Sequence, residues 1–449
     1  MAAQLMNHPT VKKILEGRVH PAPPKNSAPL DSSWLRRLCL DSGADDVGFI
    51  EIDRPEIADQ RAEILAIFPD ARTLVSYVLR TNRENIRTPA RSISNVEFHH
   101  TGEAVNEVGR RVVSALERRG VRAMNAAAMG FPMEMDRWPR KAWIVSHKPV
   151  AVAAGLGHMG IHRNVIHPKF GNFILLGTLA LDAEVTSFSR PLDFSPCLEC
   201  KLCVAACPTG AISPEGEFNF AACYTHNYRE FMGGFTDWVE KIADSKNARD
   251  YRKKVTDSET VSMWQSLGFG PNYKAAYCLS VCPAGEDVIE PFLTDRAGHL
   301  KTVVEPLQRK KETVYVLSGS DAEAHVRKRF PHKKTKRVSN GLRPDSMPTF
   351  LFGARLTFQP GQAKGLDATY HFTFTGEENV LATMVIRDQK LEVREGHVGD
   401  PDFRLTADSR TWIRFLAKET SLAWAMLRGR IRLRGSPRLL IAFSRCFPS

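Results

Sequence analysis

Residues Cys197 to Ile212 read "CLECKLCVAACPTGAI", with cysteines at 197, 200, 203 and 207 and a proline at 208. Three thiolates at this spacing can wrap one short loop around three irons of a cubane, while the fourth is carried away by the next turn. Structural zinc also uses paired cysteines, but four of them in a run ending Cys-Pro favour an iron–sulfur site. "PTGAI" then turns into a short strand. Nine cysteines occur in 449 residues; Cys39 and Cys446 stand alone, and the other seven fall between Cys197 and Cys282. Thiols gathered in this way point to metal or redox chemistry rather than to disulfides.

A second stretch, "NYKAAYCLSVCPAG" from Asn272 to Gly285, carries the tail of such a run, Cys278-x3-Cys282-Pro283. In two-cluster ferredoxins the fourth cysteine of a run serves the other cluster. Cys197, Cys200, Cys203 and Cys282 are then expected to hold cluster one. Cys207, Cys278 and the isolated Cys223 are expected to hold cluster two. The eighth thiolate would stand at position 275, which is alanine. The second cluster is therefore either a three-iron cluster, or a cubane completed by a non-thiolate ligand such as His226, water or substrate. The cofactors expected are one [4Fe-4S] cluster and a second [4Fe-4S] or [3Fe-4S] cluster.

The bulk composition fits an ordinary globular protein, 43% apolar and 25% charged, long enough for two or three domains. No apolar run reaches the ~20 residues of a membrane-spanning helix. "MAAQLMNHPTVKKILEG" has neither an apolar signal core nor a twin arginine, so a cytoplasmic location is expected. The net charge of +12 is uneven: from Gln308 to Arg337, ten Lys/Arg face three acids. A solvated linker between domains is the plain expectation there, and an anionic partner the alternative. No zinc-finger, helix-turn-helix or RNA-binding signature accompanies the charge, so nucleic acid is not expected as a partner.

Strand and helix patterns alternate from Ser32 to Asp182. "SWLRRLCLDSGAD" has helical periodicity, "DVGFIEI", "TLVSYVL" and "NFILLGTLAL" read as buried strands, and "GEAVNEVGRRVVSALERRG" is an amphipathic helix ending near Gly120. Farther on, "TYHFTFT", "VLATMVIRD" and "KLEVREG" read as an antiparallel meander, followed by the helices "SRTWIRFLAKE" and "SLAWAMLRGR". "RIRLRG" and "RLLIAF" are expected as closing strands. The division is an N-terminal extension over 1–31, a first domain over 32–189, the cysteine-rich module over 190–300, a basic linker over 301–344 and a last domain over 345–449.

"VAAGLGHMGIHRNVIHPKFGNFILLGTLALD", the cysteine run, the lone Cys223 and the final Cys-Pro resemble the family of epoxyqueuosine reductases and corrinoid-dependent reductive dehalogenases, over about residues 32–290. The resemblance implies an α+β multidomain protein: a nitroreductase-like α/β core binding cobalamin with its lower base detached, and a bacterial-type two-cluster ferredoxin module that feeds it electrons. It makes Gly155, Gly157, His158, Met159 and Gly160 the candidate cobalamin contacts, a tight turn before a strand being the alternative for the glycines. His158, His162, Lys148 and Tyr228 are the candidate proton donors or cofactor-facing groups. Epoxyqueuosine reductases carry an acidic proton donor upstream; an ungapped count reaches Lys141 here, which argues against a tRNA substrate.

"HFTFTGEENVLATMVIRDQKLEVREGHVGDPDFRLTADSRTWIRFLAKE" and "AMLRGRIRLRG" resemble a sterol carrier protein 2-like α+β domain. That implies an apolar tunnel for a lipid, or a dimer-forming module. The function expected is an iron–sulfur oxidoreductase, corrinoid-dependent, that removes a halide or oxygen substituent from a small organic, apolar substrate, fed by an external donor of the ferredoxin or flavodoxin type. The alternatives are a non-catalytic electron carrier or redox sensor with a lipid-binding domain, and a lipid carrier with redox gating.

Overall fold

The computed structural model describes residues 5–16, 28–126 and 145–448. Four strands organise the first unit: β1 (Asp46–Glu51), β2 (Thr73–Arg80), β3 (Ala123–Asn125) and β4 (Ile174–Leu181). They lie in the order β1-β2-β4-β3, and every pair is antiparallel. Successive side chains on a strand point to opposite faces. Val47, Phe49, Val75, Tyr77 and Leu179 therefore pack on the helices Ser32–Asp41 and Arg91–Glu117. Ile50, Leu74, Val78 and Ala180 pack on Ala58–Ile67 and His147–Ala153 on the other side. With both faces covered, β2 is buried at all but its last residue, which explains its unbroken apolar run. The long helix begins at Arg91, well before the amphipathic stretch that announces it. Tyr77 pins it to the sheet by donating to the Val105 carbonyl at 2.8 Å. Gly177 makes room for that ring, since a Cβ there would sit 2.2 Å from it.

In the cysteine-rich part, the short helices Leu202–Ala206 and Tyr277–Ser280 pack together through Leu202, Cys203, Ala206, Tyr277 and Val281. The helices Gly233–Ala243, Ala248–Lys254 and Asp257–Phe269 lie between them in sequence. Arg229 and Asp237 form a buried ion pair at 2.6 Å inside this region.

The stretch expected as a solvated linker is folded. Strands β5 (Thr313–Val316) and β6 (Lys334–Arg337) pair in parallel around the helix Asp321–Arg329. Val314, Val316, Ala322 and Val326 form its core and pack on Ala211 and Ala222 of the cysteine-rich part. The cations that dominate the count are largely spent on partners. Lys333 is buried and donates to the carbonyls of Leu307 and Lys310 and, at 2.6 Å, to Glu312. Arg327 and Arg337 share Glu323, and Lys336 holds Glu259 at 2.6 Å.

The C-terminal unit is a five-stranded sheet of β7 (Ala368–Thr375), β8 (Val380–Arg387), β9 (Lys390–Glu395), β10 (Phe403–Asp408) and β11 (Ile431–Gly435). Their order is β9-β8-β7-β10-β11, with β7 and β10 parallel. The meander expected from the sequence forms its first three strands. Phe350, Tyr370, Phe372, Phe374 and Trp412 fill the core. "RLLIAF", expected as a strand, lies in the helix Pro437–Arg445. Ser436 caps that helix by accepting from the Arg438 N–H, and Pro437 occupies its first turn. No described helix is long and apolar enough to cross a membrane.

Burial raises the Glu259 pKa, but hydrogen bonds from Lys336, the Thr256 N–H and the Tyr315 hydroxyl outweigh it and bring the carboxyl down to about 2. A depressed carboxylate stabilises the fold above its unfolded pKa, and that contribution is lost as pH falls toward the folded value. Wild type should therefore exceed Glu259→Gln in unfolding free energy by up to about 3 kcal/mol above pH ~5, narrowing toward zero near pH ~2. Urea melts across that range check the slope.

Candidate functional site

Two short left-handed kinks, at Glu199 (φ 48°) and Lys201 (φ 62°), turn the cysteine loop back on itself. Non-glycine residues reach that region at a cost, so such kinks cluster where geometry serves a site. Here they bring Cys197, Cys200 and Cys203 around one small cavity, whose wall Cys282, Pro283 and Ala284 complete. Burial, and then Cys200, Cys203 and Cys197, push the Cys282 thiol up; burial, and then Cys278, Cys200 and Cys197, push Cys203 up to about 12. Cys223 is raised by burial and then by Cys207 and Cys278, and Cys278 reaches about 12 by burial and then Cys207. Cys282 thus senses Cys197, Cys200 and Cys203, and Cys223 and Cys278 sense Cys207, while the coupling of Cys203 to Cys278 links the two groups. Metal loading at such buried thiols must displace their protons. Among the described residues, no three His, Cys, Asp or Glu side chains converge closely enough to hold a single metal ion.

Position 275 is a buried alanine whose N–H donates to Asn227 Oδ1 at 3.0 Å. His226, the histidine considered for the open corner, engages one ring nitrogen away from the thiols and leaves its buried Nε2 without a partner among the described residues. Its Nδ1 accepts from the Tyr315 N–H at 3.3 Å, and burial, followed by Glu312 and nearby lysines, leaves its pKa at about 4. It lines a cleft of about 770 Å³ between Arg91, Asn95, Lys274, Glu312 and Tyr315, which sequence reasoning missed because its walls come from five distant stretches.

A backbone joint fastens the second cysteine segment to the α/β core. Gly171 (φ 64°) and Gly285 (φ 112°) touch main chain to main chain; a Cβ on Gly171 would lie 2.1 Å from the Ala284 carbonyl, and one on Gly285 2.3 Å from the Gly171 nitrogen. The Glu286 and Asp287 N–H groups donate to the carbonyls of Pro168 and Lys169 at 2.9 and 3.0 Å.

The candidate proton donors divide between the two thiol sets. Lys148 reaches the Cys223/Cys278 side from the core helix His147–Ala153, donating to the Arg163 carbonyl (2.7 Å) and Asn164 Oδ1 (2.9 Å). Desolvation by surrounding protein lowers its pKa while Cys278 and Cys223 raise it, although the side chain keeps an exposed surface. Tyr228 lies on the same side, its pKa raised by burial and then by Tyr273, Cys223, Tyr224 and Cys278. His162 instead lines the cavity of the Cys197 set, with a pKa near 4 from burial and then Lys148. Its Nδ1 accepts from the Asn164 N–H, and its Nε2 pairs with Asn172 at 3.2 Å. His158 and Met159 open a short hairpin with Val165–Ile166.

The glycine turn is closely packed at its missing side chains. A Cβ at Gly155 (φ 72°) would meet the Arg190 carbonyl at 2.3 Å, at Gly157 the Ile166 carbonyl at 2.5 Å, and at Gly160 the Ile166 side chain at 2.7 Å. The protein's own atoms fill those spaces, as in a tight turn before a strand. Lys141, reached by the ungapped count, lies outside the described residues.

Residues 191–213 match the 4Fe-4S binding domain family, and residues 355–448 match the SCP-2 sterol transfer family. The chain is similar to epoxyqueuosine reductases. That of Cellulophaga algicola is 31% identical over 107 residues, 22% of this chain and 32% of the relative; that of Escherichia coli is 29% identical over 102 residues, 23% and 26%. The chain spans about a third or less of these curated relatives. Among solved structures, a reductive dehalogenase described for B12-dependent dehalogenation aligns with a TM-score of 0.39 and 17% identity, covering 63% of this chain and 36% of its own. The epoxyqueuosine reductase of Streptococcus thermophilus aligns with a TM-score of 0.34 and 14% identity, covering 62% and 78%. The resemblances drawn from the cysteine run and the last hundred residues are thus met by independent matches, and the chain carries an iron–sulfur module followed by an SCP-2 domain.

Gly171→Ala should force the joint apart and destabilise the protein by about 2–4 kcal/mol. Its thermal melt should fall together with its iron content, because Cys278 and Cys282 hang from that joint.

Proposed function

We propose that the protein is an iron–sulfur reductase that uses a corrinoid to remove a halide or oxygen substituent from an organic substrate. The observation that carries this reading is the approach of Lys148, from the α/β core, to Cys223 and Cys278 of the iron–sulfur module. In this reading Cys197, Cys200, Cys203 and Cys282 hold one cluster, and Cys207, Cys223 and Cys278 hold three corners of the other, whose fourth corner has no thiolate. When bound, the clusters supply single electrons from an external low-potential donor, and the corrinoid supplies chemistry that needs two.

The remaining work falls to side chains. Two electrons and one proton replace a carbon–halogen bond by carbon–hydrogen and release halide; an oxygen substituent leaves as water after a further proton. Lys148 holds a proton beside Cys223 and Cys278, and its lowered pKa makes that proton easier to transfer. Tyr228 keeps its proton and can donate a hydrogen bond to a reacting oxygen or halide. The packed aromatics around it, Phe231 at 4.9 Å and Tyr273 at 5.7 Å, exclude water from this wall. The SCP-2 domain supports an apolar substrate, whereas the cleft lined by Arg91, Lys274 and Glu312 suits a polar one.

A second reading has a specific observation in its favour. The glycine turn is filled by the protein's own atoms, and the helix Met347–Thr357 of the SCP-2 domain touches Phe220–Asn227, which carries Cys223. Both suit a redox sensor that reports to a lipid-binding domain without a corrinoid. Anaerobic reconstitution with cobalamin separates the two. The reductase reading expects retained corrin absorbance and a base-off cobalt(II) EPR signal; corrin lost on desalting sinks it. Iron should reach about seven or eight per chain rather than about four. Lys148→Met should lower turnover at least about tenfold while iron content holds; unchanged turnover removes the lysine from the chemistry.

A further inference from the structure

The strongest unexplained surface lies at the far end of the SCP-2 domain. Ser421 caps the helix Leu422–Leu427 by accepting from the Trp424 N–H at 3.2 Å. With Ala425 turned into the core, the helix leaves Trp424 and Met426 each 43% exposed and Leu427 87% exposed. Arg428 lays its guanidinium 3.4 Å from the centre of the Trp424 ring. Gly429 (φ 68°) makes the turn, with nothing within 4 Å of an added Cβ, and the chain enters the edge strand β11. The outward residues of that strand are Arg432 and Arg434, and Arg434 stands directly across from Arg404. Like charges facing each other across a ladder destabilise it unless an anion comes between them. From Leu422 to Ser449 there are six arginines and no acid. Among the described residues, Arg430 alone of these six has an ion-pair partner, Asp408 at 3.9 Å.

We propose that the tip formed by Trp424, Met426, Leu427, Arg428 and Arg430 docks on an anionic lipid bilayer, with Leu427 inserted below the headgroups. This does not depend on the redox chemistry proposed above. The charge selects the occupant. A second copy docking through the same face would set six arginines against six. Nucleic acid would satisfy the arginines but leave Met426 and Leu427 in water. Edge arginines also discourage strand pairing, but that role does not account for an almost fully exposed leucine beside a tryptophan. An anionic membrane meets both demands: phosphates for the arginines, an interface for Trp424 and acyl chains for Leu427. A few apolar residues anchor weakly alone, so attachment requires the charge as a second signal.

Vesicle sedimentation of the full-length holoprotein tests this, with neutral phosphatidylcholine against the same lipid carrying about one-third phosphatidylglycerol. Binding is expected on the anionic vesicles, weakened by salt and small on neutral ones. Arg428→Glu/Arg430→Glu and Leu427→Asp should each lower the partition coefficient at least about tenfold, with iron content and melting temperature unchanged. Brominated lipid should quench part of the tryptophan emission of wild type but not of Trp424→Phe. Three results would overturn the proposal: equal binding to both vesicles or to neither, full binding by the Leu427→Asp protein, or tighter binding to a single-stranded oligonucleotide than to anionic vesicles.

Discussion

The contact between the main chains of Gly171 and Gly285 is the constraint on which the site depends. Thiols from three stretches of chain, 197–207, 223 and 278–282, must meet beside a core that ends a hundred residues before the last of them. Side-chain packing alone would leave such a junction free to slide. Two glycines in left-handed conformation bring backbone against backbone, and the hydrogen bonds from Glu286 and Asp287 fix the register. Arg83 of the core adds a bond from its guanidinium to the Asp287 carbonyl at 2.6 Å. The motif "PKFG" is therefore the core's half of a joint, which gives its glycine a mechanical reason.

Around this joint the electrostatics run in one direction. Burial raises Cys203, Cys223, Cys278 and Cys282 and favours neutral thiols when no metal is present. The nearby cation Lys148 favours thiolate at Cys223 and Cys278. Metal binding in such surroundings couples proton release to order in the surrounding chain. The folded basic unit closes the far wall: its apolar residues cover Cys207 and Cys223, while its lysines are drawn onto Glu259 and Glu312.

The same unit carries the C-terminal domain. Asp321 accepts from the Gly361 N–H at 2.7 Å and the Gln362 amide at 3.0 Å, and its own N–H donates to Gln359 at 3.0 Å. Gly233 allows the Asn340 carbonyl to approach, since a Cβ there would lie 1.7 Å from it. The helix Phe220–Asn227 consequently has Cys223 toward the thiols and the SCP-2 domain's first helix against it. A chemical event at these thiols and a ligand in the last domain would share that one helix.

Local signals in the sequence were strong where chemistry or periodicity is local. The cysteine spacing alone pointed to an iron–sulfur module, because loop ligands a few residues apart have little freedom in where they aim. Runs such as "TLVSYVL" and the amphipathic pattern through Val105, Val108 and Val112 determined the central strand and its long helix. Charge counting misled at Gln308 to Arg337, where four apolar side chains hidden among ten cations form a core, and the stretch pairs two strands. Propensity misled at "RLLIAF", where a Ser-Pro cap starts a helix. Glycine spacing could not show why no side chain fits there; the carbonyls of Arg190 and Ile166, brought in from elsewhere, give the reason. The placement of Lys148 beside Cys223 and Cys278, the engagement of His226 Nδ1 by the Tyr315 N–H and the exposure of Leu427 were likewise decided by tertiary structure. Each depends on which distant surface fills the neighbouring space, and a single chain read in order does not contain that information in any local window.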